Sequence, residues 1–411
     1  MNIFLWIIVV ALLLEFFLYT LSRFLDLKHL STDLPEEFKG YYSQEEYARS
    51  QEYLKENTRF AYLTSTFDLF IILLMIFLGV FNTIDLWVRG FEFSPIITGL
   101  LFFGILFFIQ DIIGTPFSLY RTFIIEEKFG FNKTKPKTYI MDKIKSYFLL
   151  IVLGGTILSL ILFFFESFGD FAWFYAWVVL SGFLVLIQPL FTLFIAPMFN
   201  TFTPLEDGEL KDRINDFAKK VHFPISRIDV MDGSRRSSKS NAYFSGLGKN
   251  KRIALFDTLI EKHSVDELLS IIAHEVGHYK KRHNIKGIVL GVVQTGIMFF
   301  LLSIFLNNPG LFAAFKMENL SIYASLLFFS VLYSPIELIM SFIGNAISRK
   351  HEFEADAFAK ESIETGEHLI SGLKNLTVTN LGNLTPHPLT VWLSYSHPPV
   401  LDRIHGLSDA D

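Results

Sequence analysis

The chain has 411 residues, 51% of them hydrophobic and 46 of them Phe, with a formal net charge of only −5. The length would allow two or three soluble domains, but apolar runs on this scale mark a membrane protein, and no basic tract suggests a nucleic-acid partner. The absence of Cys excludes disulfides and thiolate metal sites, so any zinc must be held by His and carboxylate.

In chain order, seven stretches are long enough to cross a bilayer as helices: Ile3–Leu21, Tyr62–Phe81, Ile96–Gly114, Tyr147–Phe165, Phe171–Phe194, Lys286–Leu306 and Ser321–Phe342. The first lacks a basic flank and a small-residue cleavage site and reads as a retained span. Pro189 and Pro197 are expected to kink or end the fifth. The segments that follow the successive spans carry six, one, seven, no, fifteen, one and five Lys plus Arg. Rich and poor segments alternate throughout. This places the N-terminus outside and the large polar region and C-terminal tail in the cytoplasm. The organisation expected is a five-span membrane domain over 1–198, a cytoplasmic segment over 199–283, a two-span hairpin over 284–346 and a C-terminal segment over 347–411. Composition does not separate a bacterial cytoplasmic membrane from that of the endoplasmic reticulum. The lack of Cys and of a retrieval-type tail leans towards the former.

The cytoplasmic segment opens with a helix-like stretch, Glu206–Val221. Short runs of strand character follow at Arg227–Met231, Ala242–Gly246 and Arg252–Phe256, with Gly246–Asn250 as a hairpin turn. Ser264 is a candidate N-cap, with Asp266 and Glu267 in the first turn, for a helix carrying His274-Glu275-Val276-Gly277-His278. This is H-E-x-x-H: two His one turn apart can reach one metal, and the Glu between them can hold a water beside it. A catalytic zinc needs a third protein ligand. Lys281 and Asn284 stand where an extended H-E-x-x-H-x-x-G-x-x-H motif would place Gly and His, and no Glu occurs between Glu275 and Glu318. Glu318 falls in a loop on the opposite side of the membrane, and Glu337 lies within the last span. A chain that crosses from Lys286 to Leu306 and returns through Ser321–Phe342 delivers Arg349–Asp356 to the depth of His278. Glu352 and Asp356 share a helical face, Glu354 points away, and spacing does not choose between the first two.

Arg349-Lys350-His351-Glu352-Phe353-Glu354-Ala355-Asp356 resembles the R-x-x-E-F-x-A-D motif of the type 1 CAAX prenyl proteases, integral-membrane zinc endopeptidases. Ser240–Phe244, Ser396–Arg403 and Tyr120–Asn132 resemble further stretches of the same family: a substrate-binding edge strand, an H-P-P motif and part of the N-terminal membrane domain. The resemblance implies a mainly α, seven-helix membrane protein enclosing a water-filled chamber, with a small cytoplasmic α+β metalloprotease region. It implies one Zn2+ on His274, His278 and Glu352, with Asp356 orienting a metal-binding His. Glu275 would act as general base and His397 as oxyanion stabiliser. Asn241, Ala242, Tyr243 and Arg403 would line the substrate. In-span Glu337 and Asp111 would line the chamber.

On this reading the partners are membrane lipids and a peptide or prenylated protein C-terminus, from which the enzyme removes the last three residues. Quality control of unprenylated membrane proteins is the alternative within the same chemistry. A non-catalytic membrane chaperone or transport protein with a vestigial zinc site is the alternative outside it, and the intact Glu275 argues against that.

Overall fold

The computed structural model describes residues 2–245 and 251–408, and the expected turn Gly246–Asn250 lies outside them. Seven helices long and apolar enough to cross a membrane form the frame: α1 (Ile3–His29), α2 (Gln44–Leu78), α3 (Pro95–Lys128), α4 (Pro136–Ser167), α5 (Gly169–Phe199), then α8 (His283–Phe305) and α9 (Ile322–Ile363). All seven expected spans are present. Most run well past the apolar stretch that announces them, because the helix continues where lipid ends. α2 begins in a polar stretch at a capping box of Ser43 and Glu46, and stops at Gly79 with φ 69, a left-handed terminus that glycine adopts freely. Pro189 lies inside α5, and the helix continues past it through a π-helical turn, Phe191–Ile195, to end at Phe199. The fifth span is thus loosened rather than ended there.

Between α5 and α8 lies a four-stranded sheet with three helices. β1 (Phe202–Pro204), α6 (Glu209–Lys220), β2 (Ile225–Met231), β3 (Ala242–Ser245), β4 (Lys251–Phe256) and α7 (Val265–Lys280) follow in order, with short helix Asp257–Ile260 before α7. The sheet runs β1-β2-β4-β3. β2 and β4 are parallel, and the outer pairs are antiparallel, with Ala242 opposite Leu255. β1 is too short and too polar to be seen in the sequence. After α9 come α10 (Glu367–Thr379), α11 (Pro388–Ser394) and α12 (Val400–Ser408). The division expected at 346/347 falls inside α9, a single uninterrupted helix.

The two largest of four buried clusters among the described residues hold these parts. Phe81, Phe102, Phe312, Phe315 and Phe328 lie in one buried cluster at one end of the span bundle, with Phe315 stacked on Phe328 at 3.9 Å. Ile214, Leu255, Ile272, Ala273 and Ala359 lie in the other, which joins sheet, α7 and α9. The Lys/Arg-poor segments gather at the first end. Asn2 Nδ2 donates to the Gly310 carbonyl at 2.6 Å, and Asn82 Nδ2 to Glu318 at 2.9 Å. The Lys/Arg-rich segments gather at the other end, where Arg236 pairs with Asp142 at 2.7 Å and donates to the Phe199 carbonyl at 2.6 Å. Among the spans lies a cavity of about 1180 Å³ lined by Glu15, Asp68, Gln110, Asp111 and Lys143 among others. Charged side chains in lipid are costly, and a wet interior accounts for them.

Candidate metal centre

α7 starts at a capping box, Ser264 with Glu267, and carries His274 and His278 towards α9. Their Nε2 atoms are 3.1 Å apart. From α9, Glu352 places Oε2 3.4 Å from His274 Nε2 and Oε1 3.2 Å from His278 Nε2. Ligands at roughly 2.0–2.1 Å from a tetrahedral zinc lie about 3.3 Å from one another, so the two Nε2 atoms and the Glu352 carboxylate are spaced to fill three corners of such a site. Two further observations fit a metal. Glu352 Oε2 is buried and, among the described residues, has no hydrogen-bond partner, with the charge of Arg403 3.3 Å away. The two Nε2 atoms also face each other at 3.1 Å, so both rings can turn a lone pair towards one shared cation. The donor set of two nitrogens and a carboxylate is one that zinc takes.

The other two acidic candidates face elsewhere. Asp356 Oδ1 is 2.7 Å from Nδ1 of His274, the ring nitrogen opposite the cluster. Glu354 Oε2 is 2.9 Å from His283 Nε2. Burial by itself would lower the His274 pKa, but hydrogen bonds to Asp356 and Glu352 outweigh it and raise the imidazole to about 9. The surroundings of the ring thus favour positive charge. Burial pushes the Glu275 carboxyl above its usual range, against the pull of His274 and His278. Glu275 has no hydrogen-bond partner among the described residues, and the lifted pKa suits a group that must gain and release a proton.

Gly277 explains how α7 and α9 come so close. A Cβ there would stand 3.0 Å from both the Cα and the carbonyl oxygen of Ala355. Neither backbone atom can yield as a flexible side chain would. Gly277→Val is therefore expected to force the helices apart, at about 1–3 kcal/mol of stability, and to lower bound zinc by drawing Glu352 away from the two His. A thermal melt paired with metal analysis checks both effects.

Arg403, expected to line the substrate, stands beside the cluster. It is buried, donates to both Asp356 oxygens at 2.8 and 2.6 Å, and holds Nη1 3.3 Å from Glu352 Oε2. A guanidinium committed to two carboxylates fixes them, so its position is that of a brace. His397 remains on the open side: its side chain is 65% exposed, with Nε2 3.4 Å from Glu352 Oε1. Asn241 is exposed, its Oδ1 accepting from the Ala242 amide at 2.8 Å. Ala242 begins β3, which ends the sheet order and lies against α7, leaving one strand edge unpaired within the sheet. Tyr243 belongs to β3, and its side chain lies outside the described residues.

The stretch Tyr120–Asn132 turns out to dock the segment that leads into β3. Asn132 forms a β-bridge with Ser237, the Ser238 amide donates to the Phe131 carbonyl at 3.1 Å, and Lys239 pairs with Glu126 at 2.9 Å. From the C-terminal segment, Asn380 Oδ1 accepts from the Ser240 amide at 3.1 Å. Asn380 and His283 had no signal in the sequence, since neither lies in a motif or on the ligand face of α7.

Comparison with known proteins shows the family. The family description "CAAX prenyl protease N-terminal, five membrane helices" matches residues 23–201, and "Peptidase family M48" matches residues 204–411. The chain belongs to the CAAX prenyl protease branch of peptidase family M48. It is 35% identical to CAAX prenyl protease 1 of Saccharomyces cerevisiae, over 92% of this chain and 88% of that protein. It is 38% identical to the CAAX prenyl protease 1 homolog of Dictyostelium discoideum, over 93% and 90%. The crystal structure of S. mikatae Ste24p superposes with a TM-score of 0.92 at 33% identity, covering 99% of each chain. The protein is thus a multi-pass membrane metalloendopeptidase with seven spans around a chamber, and family M48 implies a metal for the His274–His278–Glu352 cluster.

Proposed function

We propose that this protease uses one zinc ion to remove the C-terminal tripeptide from prenylated CAAX-type proteins, with its active site at the cytoplasmic face of the membrane. One observation carries the reading: the three-donor cluster of His274, His278 and Glu352 stands beside an open strand edge, at the Lys/Arg-rich end of a seven-helix chamber. The names of the yeast and slime-mould relatives support the substrate class. Their eukaryotic sources favour the endoplasmic reticulum over a bacterial membrane.

When bound, zinc would supply Lewis acidity and a lowered pKa for a water molecule. Glu275 takes the proton of that water as its oxygen attacks the peptide carbonyl, then delivers the proton to the leaving amine nitrogen. His397 donates a hydrogen bond to the carbonyl oxygen as negative charge builds there. The peptide lies extended along β3, its backbone paired with the free strand edge and with Asn241. Asp356 holds His274 in the tautomer that presents Nε2, and Arg403 holds Asp356 and Glu352.

The test is cleavage of a farnesylated peptide and its unfarnesylated twin by purified protein, with a chelator control. Zinc-dependent release of the tripeptide from the farnesylated peptide, at clearly higher kcat/KM, is expected. Equal rates on both would shift the substrate class to unprenylated membrane proteins. No zinc-dependent cleavage of either would contradict the reading.

A further inference from the structure

The two histidines of the cluster are supported unequally. Each turns Nε2 inward and Nδ1 outward. His274 Nδ1 meets a carboxylate directly, Asp356 Oδ1 at 2.7 Å. His278 Nδ1 meets a third imidazole, His283 Nδ1, at 3.0 Å. His283 Nε2 is in turn 2.9 Å from Glu354 Oε2. One placement of protons satisfies every contact. With Nε2 of His278 turned to the metal, its Nδ1–H donates to Nδ1 of His283, and Nε2–H of His283 donates to Glu354.

The fold builds this chain of contacts deliberately into the break between α7 and α8. Arg282 adopts φ 57, a left-handed turn that swings His283 back under His278. His283 is buried and its ring stacks on His351 at 3.9 Å with 10° between planes, which fixes its orientation. Glu354 is partly exposed, with Lys286 and Lys350 at 3.8 and 3.9 Å. Glu354 lies on the opposite side of α9 from the ligand face, where the sequence offers no reason for it.

We propose that His283 and Glu354 are positioning residues for His278, matching on that ligand what Asp356 does for His274. The inference rests on His278 being a metal ligand. A metal-binding imidazole is held in tautomer and orientation by the acceptor on its other nitrogen, and losing that acceptor typically weakens metal binding by about 10–100-fold. His283→Phe keeps a planar ring on His351 but removes the acceptor. His283→Gln restores both an acceptor for His278 and a donor for Glu354.

The experiment titrates zinc against a chromogenic chelator into metal-free, detergent-purified full-length protein. His283→Phe is expected to bind zinc about 10–100-fold more weakly. His283→Gln should recover most of that loss, and Glu354→Ala should show a smaller loss of the same sign. The absorption bands of the Co2+-substituted protein should shift in His283→Phe and return in His283→Gln. Glu354→Ala, a change at a partly exposed position, keeps the test valid if His283→Phe folds poorly. His278→Ala serves as the control for the ligand itself. If His278→Ala retains full zinc affinity, the ligand assignment fails. If it loses zinc while His283→Phe and Glu354→Ala bind as tightly as the parent, the positioning role is overturned.

Discussion

Glu275→Gln is expected to lower kcat on a cleavable peptide by at least about 10²–10⁴-fold, the range that a positioned general base contributes, while zinc content stays at the level of the parent protein. Gln is nearly the same shape as Glu but cannot accept the proton of an attacking water. The metal should stay because Glu275 is not among the three clustered donors. Helix and packing should also survive, since the Glu275 carboxylate makes no hydrogen bond that Gln would break among the described residues. Burial already disfavours charge at this position, so the neutral amide costs little there. Peptide turnover and metal content measured on one preparation separate loss of the base from loss of the site. Turnover at the parental rate would remove Glu275 from the mechanism.

Glu352→Ala should abolish stoichiometric zinc binding, and activity with it. The variant leaves two imidazoles and no anionic donor, in a setting where Asp356 is already engaged by His274 and Arg403. The fold should persist, because Arg403 keeps both its hydrogen bonds to Asp356. Metal analysis after dialysis against a weak chelator reads the result. Full zinc in the variant would require Asp356 or Glu354 to leave its present histidine partner and enter the cluster.

Much of this architecture was legible because membranes impose a coarse grammar. Apolar length marked the seven spans, and the alternation of Lys and Arg ordered them before any contact was known. The H-E-x-x-H spacing named two residues of the cluster, and the length of the return hairpin carried Glu352 to them. Spacing could not choose between Glu352 and Asp356, because the choice depends on which face of each imidazole a carboxylate meets. That is a property of how α7 packs on α9, set by the contact of Gly277 with Ala355. The same limit hid His283 and Glu354: the left-handed turn at Arg282 brings them together, and nothing in a periodic pattern signals it. Arg403 was placed at the site by its motif, but its two hydrogen bonds to Asp356 carry no sequence pattern and show only in the packing. Helix ends past the lipid were missed because caps such as Ser43 with Glu46 act locally and carry no hydropathy.

The central claim is that one zinc sits among His274, His278 and Glu352. Anomalous diffraction at the zinc edge, from a crystal of active protein, tests it most directly. A single peak is expected at roughly 2.0–2.2 Å from Nε2 of both histidines and from a Glu352 oxygen. A peak bound instead to Asp356 or Glu354, or an active crystal with no peak at these residues, would contradict it.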